Sequence, residues 1–217
     1  MAERPVPEDE PAALTAFQRR VARLFFSLPA AKDFLLAGGA ALVAQNLTTR
    51  PTRDLDFFTD SAAAVAVACS QFERAAGDEG WATERLRDTA TFTRLIIHGP
   101  QELLVDIALD SSPTQGASAS FVGPTFAPDE LAGRKLLALF DRAEARDFAD
   151  VFDLAKRFGQ GALIEHAAGL DAGFDNHVLA NQFATLARFD DDEIPVTADR
   201  VEPLRSFFST WRDELLG

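Results

Sequence analysis

Three strand-like segments follow one another between residues 81 and 109 with no helical segment between them. They run from Trp81 to Arg87, from Thr91 to His98 and from Glu102 to Leu109, and the Gly99-Pro100 pair is typical of a hairpin turn. The turn at Gly99-Pro100 predicts a hairpin of the last two segments, and successive strands without intervening helices predict a mixed sheet. A doubly wound parallel sheet is therefore not expected.

The character of the chain changes near residue 127. Beyond it, apolar residues recur at helical spacing in five segments, 129–142, 146–158, 160–170, 176–189 and 198–216. Before it, the patterns predict helices over 11–28, 40–47 and 62–76, strands over 34–36 and 52–58, and a loop over 111–125 with one short strand around Phe121. The predicted fold class is α+β, with a mixed sheet and flanking helices in residues 1–127 and a helical part in residues 128–217.

Composition excludes several classes of protein. The single cysteine, Cys69, excludes an internal disulfide framework and a cysteine-based zinc cluster. The sequence contains no run of about 18 apolar residues, so no transmembrane helix is predicted. Residues 1–10 are acidic and lack the order of a signal peptide, so we expect a terminal tail and a cytoplasmic protein without a membrane partner. The net charge of -13 argues against an extended nucleic-acid surface but allows a local basic cleft.

Two aspartates carry the strongest chemical signal. Asp54 and Asp56 are two residues apart on a predicted strand, so both side chains lie on one face while Leu55 and Phe57 point to the other. Neighbouring carboxylates repel each other unless a cation lies between them, and Mg²⁺ prefers oxygen ligands. Phosphoryl transfer commonly uses two such ions, one on the attacking oxygen and one on the leaving group.

Three further residues are expected near this pair. Gly38 and Gly39 precede a predicted helix, where glycine lets backbone approach a ligand and helix-start N–H groups favour phosphate. Asp106 is a lone carboxylate in an apolar strand, and such a group needs a partner or a metal. If its strand lies beside that of Asp54, Asp106 could complete the metal site or act as general base.

The helical part offers a second cluster of charged residues. Lys135 is on its first helix, and Arg142, Arg146, Asp147 and Asp150 follow. Lys135 could hold a triphosphate as a point charge. Asp147 and Asp150 are neighbours at helical spacing and lie away from the apolar stripe of their helix, so Asp150 could orient Lys135 or bind the base or ribose.

Four motifs in this order resemble those of the AbiEii/AbiGii nucleotidyltransferase toxins, which include the MenT toxins and belong to the DNA polymerase β-type nucleotidyltransferase superfamily. The motifs are Gly38-Gly39, Arg50-Pro51-Thr52-Arg53-Asp54-Leu55-Asp56, Lys135, and Arg146-Asp147-Phe148-Ala149-Asp150. The resemblance runs from about residue 34 to residue 158. One departure is Ala40, which stands where the family usually has a Ser or Thr whose hydroxyl contacts the triphosphate.

The resemblance implies a Mg²⁺-dependent enzyme that transfers a nucleoside monophosphate from an NTP to the 3′ end of tRNA. Such a toxin blocks translation and is restrained by a cognate antitoxin. Metal binding is carried over to Asp54 and Asp56, and an essential role to Lys135 and Asp150. The residues expected to bind the nucleotide are Gly38, Gly39, Arg50, Thr52, Arg53, Lys135, Arg146 and Asp147.

Several of these residues also have a structural interpretation. Asp106 could pair with an arginine such as Arg94, and Lys135 could be an ordinary exposed lysine. Asp147 could cap its helix, and Asp150 could complement the helix dipole. Two other functions stay open: transfer to a hydroxyl of a protein or small molecule, and a non-catalytic interaction module that kept the fold.

Overall fold

The computed structural model describes residues 14–217. The tail predicted over residues 1–10, and with it the assessment of a signal peptide, lies outside the described residues. Within the described part, no helix combines the length and the apolar character that crossing a bilayer requires.

A seven-stranded mixed sheet organises the described chain. Its strands are β1 (Leu35–Ala37), β2 (Asp54–Thr59), β3 (Ala82–Asp88), β4 (Phe92–His98), β5 (Glu102–Leu109), β6 (Ser118–Ala119) and β7 (Pro124–Thr125). They lie in the order β3-β4-β5-β2-β1-β7-β6. The hairpin predicted between β4 and β5 is confirmed, β3 pairs antiparallel with β4, and β2 joins this unit parallel to β5. Because β1 runs antiparallel to β2, the sheet is mixed, as predicted.

The prediction of one short strand around Phe121 was wrong. Strands β6 and β7 lie on either side of this residue and pair with each other, and Phe121 itself is exposed in the turn between them. The turn is closed by Ser120, whose backbone N–H and hydroxyl both donate to the carbonyl of Gly123. Val122, and not Phe121, is the apolar residue that this turn buries.

Helices flank the sheet and follow it. They are α1 (Ala16–Phe26), α2 (Gly38–Ala44), α3 (Ala62–Asp78), α4 (Pro128–Arg142), α5 (Ala145–Phe158), α6 (Gln160–Leu170), α7 (Asn176–Ala184) and α8 (Ala198–Leu216). Helix α1 starts later than predicted because Thr15 caps it, exchanging hydrogen bonds with Gln18. Helix α7 ends earlier than predicted and continues as a 3₁₀ turn over Thr185–Arg188.

Aromatic packing fixes one face of the sheet against α1 and α3. Phe25 stacks on Phe57 of β2 at 3.9 Å between ring centroids and meets Phe72 of α3 edge to face at 5.5 Å. Leu55 and Phe57 are fully buried in this layer. Cys69 is also buried there, and burial raises the pKa of its thiol to about 11, which leaves it unsuited to act as a nucleophile. The acidic residues of β2 therefore face the opposite side of the sheet.

The helices after residue 127 have an aromatic core of their own. Phe148 of α5 meets Phe208 of α8 edge to face at 5.0 Å, and Phe208 also contacts Phe183 of α7. Helix α4 packs on α2, beside β1 and β2, and this contact brings α4 to the acidic face of the sheet. The division of the chain into two parts at residue 127 stays a prediction.

Candidate active site

Three carboxylates from two neighbouring strands lie on the open face of the sheet. Asp54 and Asp56 alternate with the buried Leu55 along β2, as the period of a strand requires. Strand β5 lies beside β2 with Asp106 directly opposite Asp56. The chain thus brings the predicted third acid next to the pair across a single strand spacing.

Of the three carboxylates, only that of Asp56 accepts no hydrogen bond among residues 14–217. Asp54 accepts from the Thr52 hydroxyl at 2.7 Å and from Arg146 Nη1 at 3.2 Å. Asp106 accepts hydrogen bonds from Nε and Nη2 of Arg94, at 2.8 and 2.6 Å, so the pairing of these two residues that was one interpretation of the sequence is present. Burial, and then the charges of Asp54 and Asp106, raise the pKa of Asp56 to about 7.

The donor set of this site fits a divalent cation. Its ligands would be carboxylate oxygens, which Mg²⁺ prefers, and Asp56 accepts no hydrogen bond among the described residues, so only the charges of Lys135 and Arg146 favour its ionised form. No closed group of three metal ligands is present among residues 14–217. Asp54 is paired with Arg146 and Asp106 with Arg94, so a cation shared by Asp56 and either neighbour would have to displace an arginine.

Gly38 packs directly against Asp56, and Gly39 packs against Thr52 and Arg50, which precede the acidic pair in the chain. Gly38 has a φ of 60°, and a β-carbon there would lie 1.8 Å from Asp56 Oδ2. A β-carbon on Gly39 would lie 2.8 Å from the Thr52 hydroxyl and 3.1 Å from Arg50 Nη2. No side chain fits at either position, so the backbone of this turn stays uncovered next to the carboxylates.

We expect Gly38→Ala to lower the free energy of unfolding by between about 1 and 3 kcal/mol, because the methyl group displaces Asp56 and the backbone is left-handed. Chemical denaturation measures this loss. Gly77→Ala is the matched control: a β-carbon at Gly77 meets nothing within 4 Å, so this variant should gain about 0.5–1 kcal/mol. A Gly38→Ala variant as stable as the wild type would contradict the close packing described here.

Lys135 is a buried lysine, so the interpretation as an ordinary exposed residue was wrong. It lies on α4 with 7% of its side chain exposed. Its Nζ is 3.4 Å from Asp147 Oδ1 and 3.2 Å from Asp150 Oδ2, both on α5. The two carboxylates fix the position of the ammonium group where α4 meets the open face of the sheet.

Asp150 links the helical part to the strand that carries the acidic pair. It is fully buried and accepts Arg50 Nε at 2.8 Å and Arg50 Nη2 at 2.9 Å in a bidentate pair. Burial opposes the charge of Arg50, but the hydrogen bonds to Asp150 together with the charges of Asp150, Asp54 and Asp147 outweigh it and raise the pKa of the guanidinium. Asp150 therefore orients both Arg50 and Lys135 instead of serving the helix dipole alone.

Asp147 has the capping role that was one interpretation of its position. In the first turn of α5 it accepts the backbone N–H of Glu144 and forms a capping box with that residue. It also accepts Arg142 Nε at 3.0 Å and Nη2 at 3.2 Å. Burial works against its charge, but Arg142 and Lys135 prevail and lower the pKa of Asp147.

Two cavities meet at this site. The smaller, of about 350 Å³, is lined by both glycines, Asp56, Asp106 and Lys135. The larger, of about 720 Å³, is lined by residues 49–54, by parts of α5 and by residues 195–197 and Arg200. The residues shared by both cavities are Arg50, Asp54 and Arg146. Of the residues predicted to bind nucleotide, Thr52 and Arg53 line only the larger cavity, and Asp147 lines neither.

Sequence reasoning missed two arginines that line these cavities. Arg134 lines the smaller one, pairs with Glu130 and Asp110, and lies 3.9 Å above the ring of Phe126. Arg200 of α8 lines the larger one and pairs with Asp153. Arg134 had one usable signal, its place next to Lys135. Arg200 had none, because it comes to the site only through the packing of α8 on α5.

Comparison with known proteins gives a family and a fold. Residues 21–213 match the family model described as nucleotidyl transferase AbiEii toxin, type IV TA system. No curated protein matches the chain significantly. JHP933 from Helicobacter pylori is similar in structure, with a TM-score of 0.55 and 18% identity over 90% of this chain and 89% of that one. MenT4, a nucleotidyltransferase toxin from Mycobacterium tuberculosis, has a TM-score of 0.54 and 16% identity over 91% of this chain and 82% of that one.

Proposed function

The chain belongs to the AbiEii family of nucleotidyltransferase toxins of type IV toxin–antitoxin systems, and we propose that it transfers a nucleoside monophosphate to the 3′ end of tRNA. In this reaction an acceptor hydroxyl oxygen bonds to the α-phosphorus of an NTP, the bond to the β-phosphate oxygen breaks, and pyrophosphate leaves. The modified tRNA can no longer be charged, so translation stops. Family membership implies an NTP substrate and an antitoxin partner.

The single observation that carries this proposal is the environment of Asp56. Its carboxylate has no donor among the described residues, lies between Asp54 and Asp106, and faces a cavity that Lys135 also lines. Carboxylates in such a cluster favour a divalent cation as their partner. A bound Mg²⁺, or a pair of such ions, would neutralise charge on the triphosphate and on the attacking oxygen.

The residues around the acidic pair have complementary roles in this proposal. Lys135 binds the triphosphate as a point charge, and Asp150 holds the ammonium group of Lys135 in place. Gly38 and Gly39 let the phosphates approach the backbone beside Asp56. Ala40 supplies no hydroxyl, so recognition of the phosphates depends on backbone N–H groups and on the basic side chains.

The remaining assignments concern the residues that contact the NTP and the role of Asp106. Arg50 and Arg146 line both cavities and contact the bound NTP, while Asp147 acts through Lys135. Asp106 is the third acid: once its pairing with Arg94 opens, it joins the metal, and the proton of the attacking hydroxyl passes to solvent on the side of the larger cavity.

An RNA acceptor is favoured over a protein or a small molecule by the arginines of the larger cavity. To test this, the chain is incubated with each α-³²P-labelled NTP and Mg²⁺, together with either total tRNA or a protein lysate. We expect label in tRNA, and none when the divalent ion is chelated. Label in protein alone would support the other acceptor class. Absence of label in any acceptor, with every NTP and with Mg²⁺ or Mn²⁺, would contradict the transfer reaction.

A further inference from the structure

We propose that the larger cavity binds the terminal nucleotides of the RNA acceptor and that Arg53 and Arg200 contact its phosphates. This inference rests on the function proposed above and adds the place and the residues of acceptor recognition. The cavity of about 720 Å³ is bounded by residues 49–54 before and on β2, by α5, and by the segment from Pro195 to Arg200. Its volume falls in the range of about 300–1,000 Å³ that is typical of ligand sites.

The position of the cavity matches the geometry of the reaction. In an in-line displacement the attacking oxygen and the leaving group lie on opposite sides of the α-phosphorus. Lys135 and the two glycines line only the smaller cavity, which places the leaving pyrophosphate there. Asp54 lies at the boundary and lines both cavities. The attacking hydroxyl must therefore reach Asp54 from the side of the larger cavity.

The linings of both cavities carry more cationic side chains than carboxylates, although the protein as a whole is acidic. The chain has a net charge of -13, yet the lining of the larger cavity has four arginines against three carboxylates. An RNA backbone is repelled by most of such a surface and attracted where arginines gather, and long-range attraction of this kind speeds association. The non-ionic lining residues are Thr49, Pro51, Thr52, Ala149, Pro195, Val196 and Thr197, which offer hydroxyls and apolar surface for ribose and base.

Arg53 and Arg200 are the two arginines of this cavity that we propose as donors to the RNA phosphates. Arg53 is exposed, and no carboxylate of residues 14–217 lies within ion-pair distance of it. Arg200 is half-buried and pairs with Asp153, which also lines the cavity. Because Arg53 and Arg200 both line the cavity, phosphates of a bound RNA end have two arginines there as donors.

Two variants test the inference in the full-length chain, with total tRNA as acceptor. We expect Arg53→Ala to raise the KM for tRNA by roughly tenfold and to reduce the salt dependence of tRNA binding by about one unit of slope, as the loss of one phosphate contact does. We expect Thr197→Trp, which fills the cavity from an exposed position, to raise the KM for tRNA further. Arg53 was expected from the sequence to bind the nucleotide, but it lines only the larger cavity, so an unchanged affinity for the NTP in both variants supports the acceptor assignment and a loss of NTP affinity alone contradicts it.

Arg74→Ala is the matched control, because Arg74 is an exposed arginine on α3 and lines neither cavity. It should leave the KM for tRNA unchanged. If the wild-type protein labels tRNA but both cavity variants keep its KM, or raise only the KM for the NTP, the acceptor assignment is overturned while the proposed function stands. If the wild-type protein labels no RNA, the proposed function itself fails.

Discussion

Asp56→Asn is expected to lower the rate of nucleotide transfer on the order of a thousandfold, because a metal ligand supports several kcal/mol of transition-state stabilisation. The same variant should stay folded and be at least as stable as the wild type at pH 8. The wild-type carboxylate is flanked by Asp54 and Asp106 and has a pKa raised to about 7, so its ionised form is unfavourable in the folded chain. Asparagine keeps the shape and removes the charge.

Transfer kinetics and thermal unfolding of the same preparation check both halves of this prediction. Asp60→Asn is the control, since Asp60 directly follows β2 but is exposed and lines neither active-site cavity. Added Mg²⁺ or Mn²⁺ should raise the Tm of the wild type and of Asp60→Asn, but not that of Asp56→Asn. An Asp56→Asn variant with more than a tenth of wild-type activity would exclude Asp56 from the reaction.

Asp150→Ala is expected to lower the free energy of unfolding by about 3–5 kcal/mol, the usual cost of removing one partner of a buried ion pair. The substitution leaves Arg50 without its bidentate partner and takes one of two carboxylates from Lys135. Both cations lie largely out of water, with 12% and 7% of their side chains exposed. Activity should fall as well, because Lys135 loses its fixed position.

Denaturant unfolding measures this loss, and Asp153→Ala provides the comparison on the same face of α5. Asp153 forms an ion pair with Arg200 that water reaches, so its removal should cost at most about 1 kcal/mol. Equal losses in the two variants would mean that the Arg50–Asp150–Lys135 network contributes no more than a surface pair does.

The periodic elements of the fold could be predicted from the sequence. Alternation placed Asp54 and Asp56 on one face of β2, three successive strand patterns predicted β3, β4 and β5, and the Gly99-Pro100 turn predicted the hairpin of β4 and β5. Strands β6 and β7 were not predicted, because each has two residues and no pattern repeats over so short a length. Phe121 misled the prediction, since an apolar residue in a turn cannot be told from one in a strand by its type.

The candidate site was only partly visible in the sequence. Motif order suggested that Lys135 and Asp150 serve the acidic pair, and their spacing on two helices made contact plausible. The bidentate pairing of Arg50 with Asp150 joins residues 100 positions apart, and local patterns carry no information on such a contact. The same applies to Arg200, which reaches the larger cavity through the packing of α8.

The most direct test of the central claim is a crystal structure of the protein with Mn²⁺ and a non-hydrolysable NTP analogue, with the metal located by its anomalous signal. We predict a Mn²⁺ peak within coordination distance of oxygens of both Asp54 and Asp56, with the triphosphate between Lys135 and the Gly38-Gly39 turn. A metal bound away from Asp56, or an analogue held elsewhere with the acidic pair facing solvent, would contradict the account.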